Sequence, residues 1–283
     1  MVRRRGRLSV IAALGILLSL SSKTVYGTTA ADAVSDKDCR IFLVPGAFGS
    51  STGGANLFIH AEEYFADYRE FFRSKGCRVG TAEFPPDATI EVRSLMLRDQ
   101  MRRFADNHPV VLIAHSQGGL DARFALKTLK LTGVRSLVTI GTPHMGTGMA
   151  DWVVHQRDAG TPVYWFLRIF ASYDLRALGF AAEMTGAFLN QHAALFERVP
   201  GVLYGSAQGL CTHDCYWGLR SLAWWVKLGP GDGMVPAASQ HFGSELGEYN
   251  LDHLSEVGAD AGKHAERQRL LSHIWDFLQS PNS

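Results

Sequence analysis

The run Val110-Val-Leu-Ile-Ala-His-Ser-Gln-Gly-Gly119 constrains this chain more than any other stretch. Four apolar residues lead straight into Ala114-His115-Ser116-Gln117-Gly118. An apolar run stopped by small residues reads as a buried strand entering a tight, strained turn. Such a turn needs small residues two before and two after the serine, and Ala114 and Gly118 supply them. It lifts the serine hydroxyl clear of a sheet and sets it at the start of a helix, where unpaired amide N–H groups and the positive end of the helix dipole gather. Ser116 is therefore the candidate nucleophile. The usual pattern is G-x-S-x-G, and this chain has Ala in the first position.

The surrounding sequence alternates. Arg40–Val44 is a short apolar strand broken by Pro45-Gly-Ala-Phe-Gly49. Leu57, Ala61, Tyr64, Phe65, Tyr68 and Phe72 recur at helical spacing, and Gly76 ends that helix. Arg78–Phe84 reads as a strand. Asp87 is placed to cap a helix running to Asn107. Val110–Ala114 is the strand into the turn, Gln117–Leu131 the helix after it, and Arg135–Gly141 a further β-branched strand. Strand and helix in strict succession predict an α/β fold with a mostly parallel, doubly wound sheet, whose sites lie at the carboxyl ends of the strands. From Met145 to Pro200 the character changes, with many aromatics and helical patches such as Ala181–Asn190. That stretch, about 145–200, reads as an inserted helical lid or cap over an apolar pocket. A second aromatic run, Tyr216-Trp217 to Trp224-Trp225, is expected to flank the same site. Gly201–Ser206 reads as a return to the sheet.

Residues 1–30 carry a basic start (Arg3, Arg4, Arg5, Arg7), an apolar run from Leu8 to Leu20, and small residues at Gly27 and Ala30. This is the pattern of a secretory signal peptide, leaving 31–283 as one domain and placing the protein in the periplasm or outside the cell. Loss of Arg3, Arg4, Arg5, Arg7 and Lys23 reduces 28 basic residues to 23 against 27 acidic, a net charge of −4. With no basic stripe, nucleic acid is excluded as a partner. Export permits disulfides. Cys39 and Cys77 each precede a strand and are paired if those strands are neighbours, and Cys211 pairs with Cys215. The competing reading of Cys211, His213 and Cys215 as metal ligands lacks a second ligand cluster.

A serine hydroxyl needs an imidazole base and a carboxylate to orient that base. In chain order the acid follows the serine and the histidine follows the acid. Asp232, in Gly229-Pro-Gly-Asp-Gly-Met-Val-Pro236, is the candidate acid, with Asp214 and Asp252 as fallbacks. His253 is the candidate base and His241 the runner-up. His115 is read as pointing elsewhere on the turn and His144 as lying near the site. His60, His108, His155 and His192 are read as structural or solvent-facing, and His264 and His273 as belonging to a C-terminal helix. The oxyanion donors are the backbone N–H groups of Gln117 and Ala47, with Gly46 letting the loop approach.

These residues resemble the secreted bacterial family I triacylglycerol lipases. The likeness rests on Ala114-His-Ser-Gln-Gly118, Val138-Thr-Ile-Gly-Thr-Pro-His144-Met-Gly146 with Ala150-Asp151, Asp232-Gly-Met-Val235, Asn250–Val257 around His253, and Lys263-His-Ala-Glu-Arg267. It implies an α/β-hydrolase fold, hydrolysis of lipid esters at a lipid–water interface, a mobile lid, and Ser116, Asp232 and His253 as the catalytic set. A short-chain carboxylesterase, a phospholipase or a polyester depolymerase would carry the same set, and a binding protein on this fold would not need it. There are three departures from the family. Pro45 stands where the family has His, and Ala114 where it has Gly. Ser255 stands where the family's calcium site has Asp. A hard cation needs carboxylate oxygen, so no calcium and no other cofactor is expected. Dependence on a dedicated foldase, common in the family, is left open.

Overall fold

Alternate burial along the strands decides the architecture. Ile41, Leu43, Val111, Ile113, Val138 and Ile140 pack to one side of the sheet, and Phe42, Val44, Leu112, Ala114 and Leu137 to the other. Successive side chains of a strand face opposite ways. A strand apolar at every position must therefore be covered on both faces.

The structure, a computed structural model, describes residues 39–47, 64–85, 88–161, 179–212, 214–258 and 261–280. In chain order the elements are β1 (Arg40–Val44), α1 (Ala66–Ser74), β2 (Arg78–Thr81), α2 (Ile90–Ala105), β3 (Val110–His115), α3 (Gln117–Lys127), β4 (Val134–Ile140) and α4 (Gly148–Asp158). There follow α5 (Gly179–Ala182), α6 (Gly186–Gln191), β5 (Leu203–Gly209), α7 (Trp217–Trp225), α8 (Ala237–Gln240), β6 (Ser244–Tyr249) and α9 (His264–Gln279). The six strands form one parallel sheet in the order β2-β1-β3-β4-β5-β6. Tyr68 and Phe72 of α1 with Leu270, Leu271 and Ile274 of α9 cover one face. Leu97 and Met101 of α2 with Ala122, Ala125 and Leu126 of α3 cover the other.

This order positions the site. The chain leaves β1 toward β2 on one side and returns to β3 on the other. The strand order therefore reverses between β1 and β3, and a crevice opens at their carboxyl ends. Pro45-Gly46-Ala47 leaves β1 there, and Ser116 leaves β3 there. Arg40 of β1 pairs with Arg78 of β2, so Cys39 and Cys77 sit side by side, and they form a disulfide with a Cα–Cα distance of 4.7 Å. Cys211 and Cys215 form the second, which removes both thiolates from the alternative metal reading; His213 lies outside the described residues.

Several boundaries differ from the sequence expectation. Helix α2 starts at Ile90, capped by the Thr89 hydroxyl accepting from the Val92 amide at 3.4 Å. Asp87 is outside the described residues. The helix expected over Ala181–Asn190 is two pieces, because the Thr185 hydroxyl accepts from the Phe188 amide at 3.2 Å and starts α6 afresh. Strand β6 has no apolar signature at all (Ser-Glu-Leu-Gly-Glu-Tyr), since it is an edge strand exposed over most of its length. Of the expected 145–200 insertion, α4, α5 and α6 are described and 162–178 lies outside the described residues, as do 1–38 and the stretch from Phe48 to Glu63.

Candidate active site

Ser116 has φ 54° and ψ −131°. A non-glycine residue holds a positive φ only where the surroundings over-determine it. Three contacts do so. The Ser116 amide donates to the Ile140 carbonyl of β4 at 2.9 Å. A Cβ on Gly118 would lie 2.5 Å from the Val44 carbonyl oxygen, so only glycine lets α3 seat against β1. A Cβ on Gly46 would lie 2.7 Å from the Ser116 Cβ, so the loop after β1 rests directly on Ser116.

Asp232 is fully buried, and its two oxygens have separate tasks. Oδ1 accepts the amides of Met234 and Val235, each at 2.7 Å, which makes the turn its own clamp on the carboxylate. Oδ2 faces His253 Nδ1 at 2.8 Å. His253 Nε2 in turn lies 2.9 Å from Ser116 Oγ. The backbone ties the same two loops together, with the His253 amide donating to the Asp232 carbonyl at 2.9 Å. The three residues chosen from sequence thus meet, although Ser116 and His253 are 137 residues apart.

The fallbacks fall away on geometry. Asp252 is buried, but its carboxylate accepts the amides of Tyr216 at 2.8 Å, Leu254 at 3.1 Å and Ser255 at 2.8 Å. It shapes the histidine loop rather than orienting the ring. Asp214 is exposed in a turn. His241 is exposed and faces Glu245 at 3.2 Å. His144 is buried with Nδ1 accepting from Arg123 at 2.9 Å and Nε2 beside the Thr139 hydroxyl at 3.0 Å. Burial, and then Arg123, push its pKa well below the usual histidine range, so it is a neutral structural ring.

His115 corrects the expectation that it points elsewhere. It is buried, and its ring centroid lies 4.5 Å from that of His253. The Gly46 amide donates to the Tyr64 hydroxyl at 3.0 Å, and that hydroxyl lies 2.6 Å from His115 Nδ1. His115 Nε2 lies 2.9 Å from Glu256 Oε2, which is also 3.7 Å from His253 Nδ1. One arrangement of protons satisfies Tyr64 and both nitrogens of His115, and leaves Glu256 Oε1 without a hydrogen-bond partner. The amide occupies the Tyr64 oxygen, Tyr64 gives its own proton to Nδ1, and Nε2–H donates to Glu256. Burial supports neutral members throughout. It raises Tyr64, lowers His115 well below the usual range with help from His253, and raises Glu256 with help from Asp232 and Asp252. The Glu256 carboxyl sits in a slot that only glycine at 141 and 209 leaves open. Sequence reasoning missed this chain of contacts, since Tyr64, His115 and Glu256 come from three distant segments.

The other side of the loop after β1 is held by a buried ion pair. Arg93 Nε binds Asp121 Oδ2 at 2.7 Å, and its NH2 group donates to the Pro45 carbonyl at 2.6 Å. Burial pushes Asp121 up to about 7 against the pull of Arg93. Pro45 and Gly46 are thereby fixed by α2 and by Tyr64. Ala47 closes the described part of this loop, and Gln117 opens α3, whose first amides have no acceptor within the helix.

Donor atoms of His115, His253 and Glu256 lie within 4.8 Å of one another. Each ring nitrogen facing a carboxylate there is already in a hydrogen bond that a cation would break. Calcium at the position of Ser255 does not fit. Ser255 is buried, and its carbonyl accepts from the Arg267 guanidinium at 3.1 Å, so a positive charge already stands there.

A backbone that seats a serine under an imidazole, with a buried carboxylate behind it and a glycine loop beside it, is the α/β-hydrolase arrangement, and this chain has that fold. Residues 81–175 match the family model described as a PGAP1-like alpha/beta domain. Triacylglycerol lipase 2 of Saccharomyces cerevisiae is 30% identical over 210 residues, covering 69% of this chain; the chain spans 62% of that relative's length. Among solved structures, a Bacillus licheniformis lipase in mature form is 19% identical with a TM-score of 0.61, over 86% of this chain and 96% of that one. A metagenomic carboxyl esterase is 20% identical with a TM-score of 0.68, over 94% and 83% respectively.

Proposed function

We propose that this protein is a secreted serine hydrolase that cleaves carboxylic esters of lipids, and that it is a triacylglycerol lipase akin to the bacterial family I enzymes. What carries the reading is His253, whose Nε2 lies 2.9 Å from Ser116 Oγ while its Nδ1 lies 2.8 Å from Asp232. His253 takes the serine proton as Oγ attacks the ester carbonyl. Asp232 holds the ring in the tautomer with Nε2 free and stabilises the imidazolium that forms. The amides of Ala47 and Gln117 receive the oxyanion. Collapse of the tetrahedral intermediate expels the alcohol, which takes its proton from His253. Water then repeats the sequence against the acyl-serine and releases the fatty acid. No metal takes part, and residues around 145–200 act as the lid.

The test is a series of initial rates from soluble butyrate esters to emulsified long-chain triacylglycerol, with Ser116→Ala beside the wild type. Rates that rise on the long-chain emulsion, and fall by roughly 10⁶-fold in Ser116→Ala, are expected. Activity confined to short soluble esters would make the protein a carboxylesterase with a fixed cap. A folded Ser116→Ala that keeps its activity would overturn the assignment of the nucleophile.

A further inference from the structure

Helix α7 has two apolar sides, and one packs on nothing among the described residues. Leu219 is buried, with Leu222, Ala223 and Val226 half-buried beside it on the inward side. The opposite side carries Trp217, Trp224 and Trp225 at 65%, 80% and 67% exposure, and Arg220 lies among them. Three tryptophans in open water on a nine-residue helix are costly unless the medium they meet is not plain water. The indole has an apolar body and one N–H, a combination that suits the boundary between headgroups and acyl chains.

Charge narrows the medium. From Tyr216 to Gly231 the sequence holds Arg220 and Lys227 and no acidic residue. Both side chains are exposed, and neither has an ion-pair partner among the described residues. A groove of about 760 Å³ runs beside the helix, lined by Trp224, Trp225, Arg220, Lys227 and Pro230. It joins indole surface to two cations. Among the described residues no helix is long and apolar enough to cross a membrane, so contact through α7 would be peripheral.

The helix is also rooted in the candidate site. The Tyr216 amide donates to Asp252, the neighbour of His253, at 2.8 Å. A Cβ on Gly233, the neighbour of Asp232, would lie 3.1 Å from the Leu219 Cβ. Whatever α7 rests on is therefore presented to the loops that carry the acid and the base.

We propose that the tryptophan face of α7, with the cationic groove beside it, docks the protein onto an anionic phospholipid surface. The indoles enter the headgroup boundary while Arg220 and Lys227 meet lipid phosphates. This docking does not depend on ester hydrolysis, and the two readings fail separately in the experiment.

The full chain is titrated with phosphatidylcholine vesicles and with vesicles that also contain phosphatidylglycerol, following sedimentation and tryptophan emission. Tighter binding to the phosphatidylglycerol vesicles with a blue shift is expected. Arg220→Gln with Lys227→Gln should weaken that binding about thirtyfold, from about 1 kcal/mol per cation, and leave the rate on a soluble butyrate ester unchanged. Replacing Trp217, Trp224 and Trp225 by Ala should abolish the blue shift in a protein whose circular dichroism is that of the wild type. Equal binding to both vesicles, unchanged binding by the charge variant, or an α7-dependent dimer in place of vesicle binding would overturn the proposal. Vesicle binding by a protein that hydrolyses no ester would overturn the catalytic reading and leave the docking intact.

Discussion

Replacing Tyr64 by Phe removes one oxygen and tests the contacts that hold the loop after β1. Tyr64 is 6% exposed, and its ring packs edge-on against Phe65 with centroids 4.9 Å apart, a contact that Phe keeps. What is lost is the acceptor for the Gly46 amide and the donor to His115 Nδ1. Each group is buried, and an unsatisfied buried polar group costs about 1–3 kcal/mol. The variant should therefore lose about 2–6 kcal/mol of stability, read as a lower midpoint in guanidinium unfolding with an unchanged slope. The chemistry should suffer as well, because Gly46 rests on Ser116. A loop freed by about an ångström costs up to roughly 100-fold in rate, and the loss should appear in kcat on a soluble butyrate ester. A stability change under about 0.5 kcal/mol, the range of an ordinary surface substitution, would refute the reasoning. So would a full loss of stability with an untouched kcat, which would separate Tyr64 from Ser116.

Asp232→Asn should lower kcat by about 10⁴-fold through the wrong histidine tautomer while the unfolding midpoint falls only modestly; retained activity would reopen Asp214 and Asp252. His115 is a base whose folded pKa lies well below its unfolded value, so its contribution to stability is present above about pH 6.5 and is lost as pH falls below it. Wild-type stability should therefore drop more steeply on acidification than that of His115→Gln, by up to about 1.4 kcal/mol per pH unit, and parallel curves would contradict the assignment. Exhaustive chelation should leave both the hydrolysis rate and the unfolding midpoint unchanged, and a loss restored by calcium would show that Ser255 is not the obstacle proposed.

Legibility in the sequence followed the strength of the physical signal. Val110–Ala114 and Ile41–Val44 are buried on both faces, so every position is apolar and the strands stand out. The turn at Ser116 is just as visible, because steric crowding leaves glycine at 118 no substitute. Asp232 was found through its Gly-Met-Val turn, whose amides now bind Oδ1. Strand β6 was invisible because an edge strand with an exposed face has no need of apolar residues. The Tyr64–His115–Glu256 contacts were missed for a different reason. Each pair spans at least 51 residues, and no local spacing marks a side chain for burial beside a partner that far away. The disulfide between Cys39 and Cys77 lies between these cases, since it followed as soon as β1 and β2 were taken as neighbours.

The order β2-β1-β3-β4-β5-β6 also dictates when activity can appear during folding. The strand that delivers Ser116 lies in the middle of the sheet. Asp232 and His253 arrive on loops that follow β5 and β6, the last strands to be added at one edge. A refolding chain can bury most of its core, and regain most of its helix signal, before the imidazole reaches the hydroxyl. Contacts spanning 137 residues carry a large closure entropy and form late. If the proposed hydrolysis holds, turnover of a soluble ester reports arrival of the far edge of the sheet, whereas far-ultraviolet dichroism reports the centre. The interval between the two signals times the closing of the fold around Ser116.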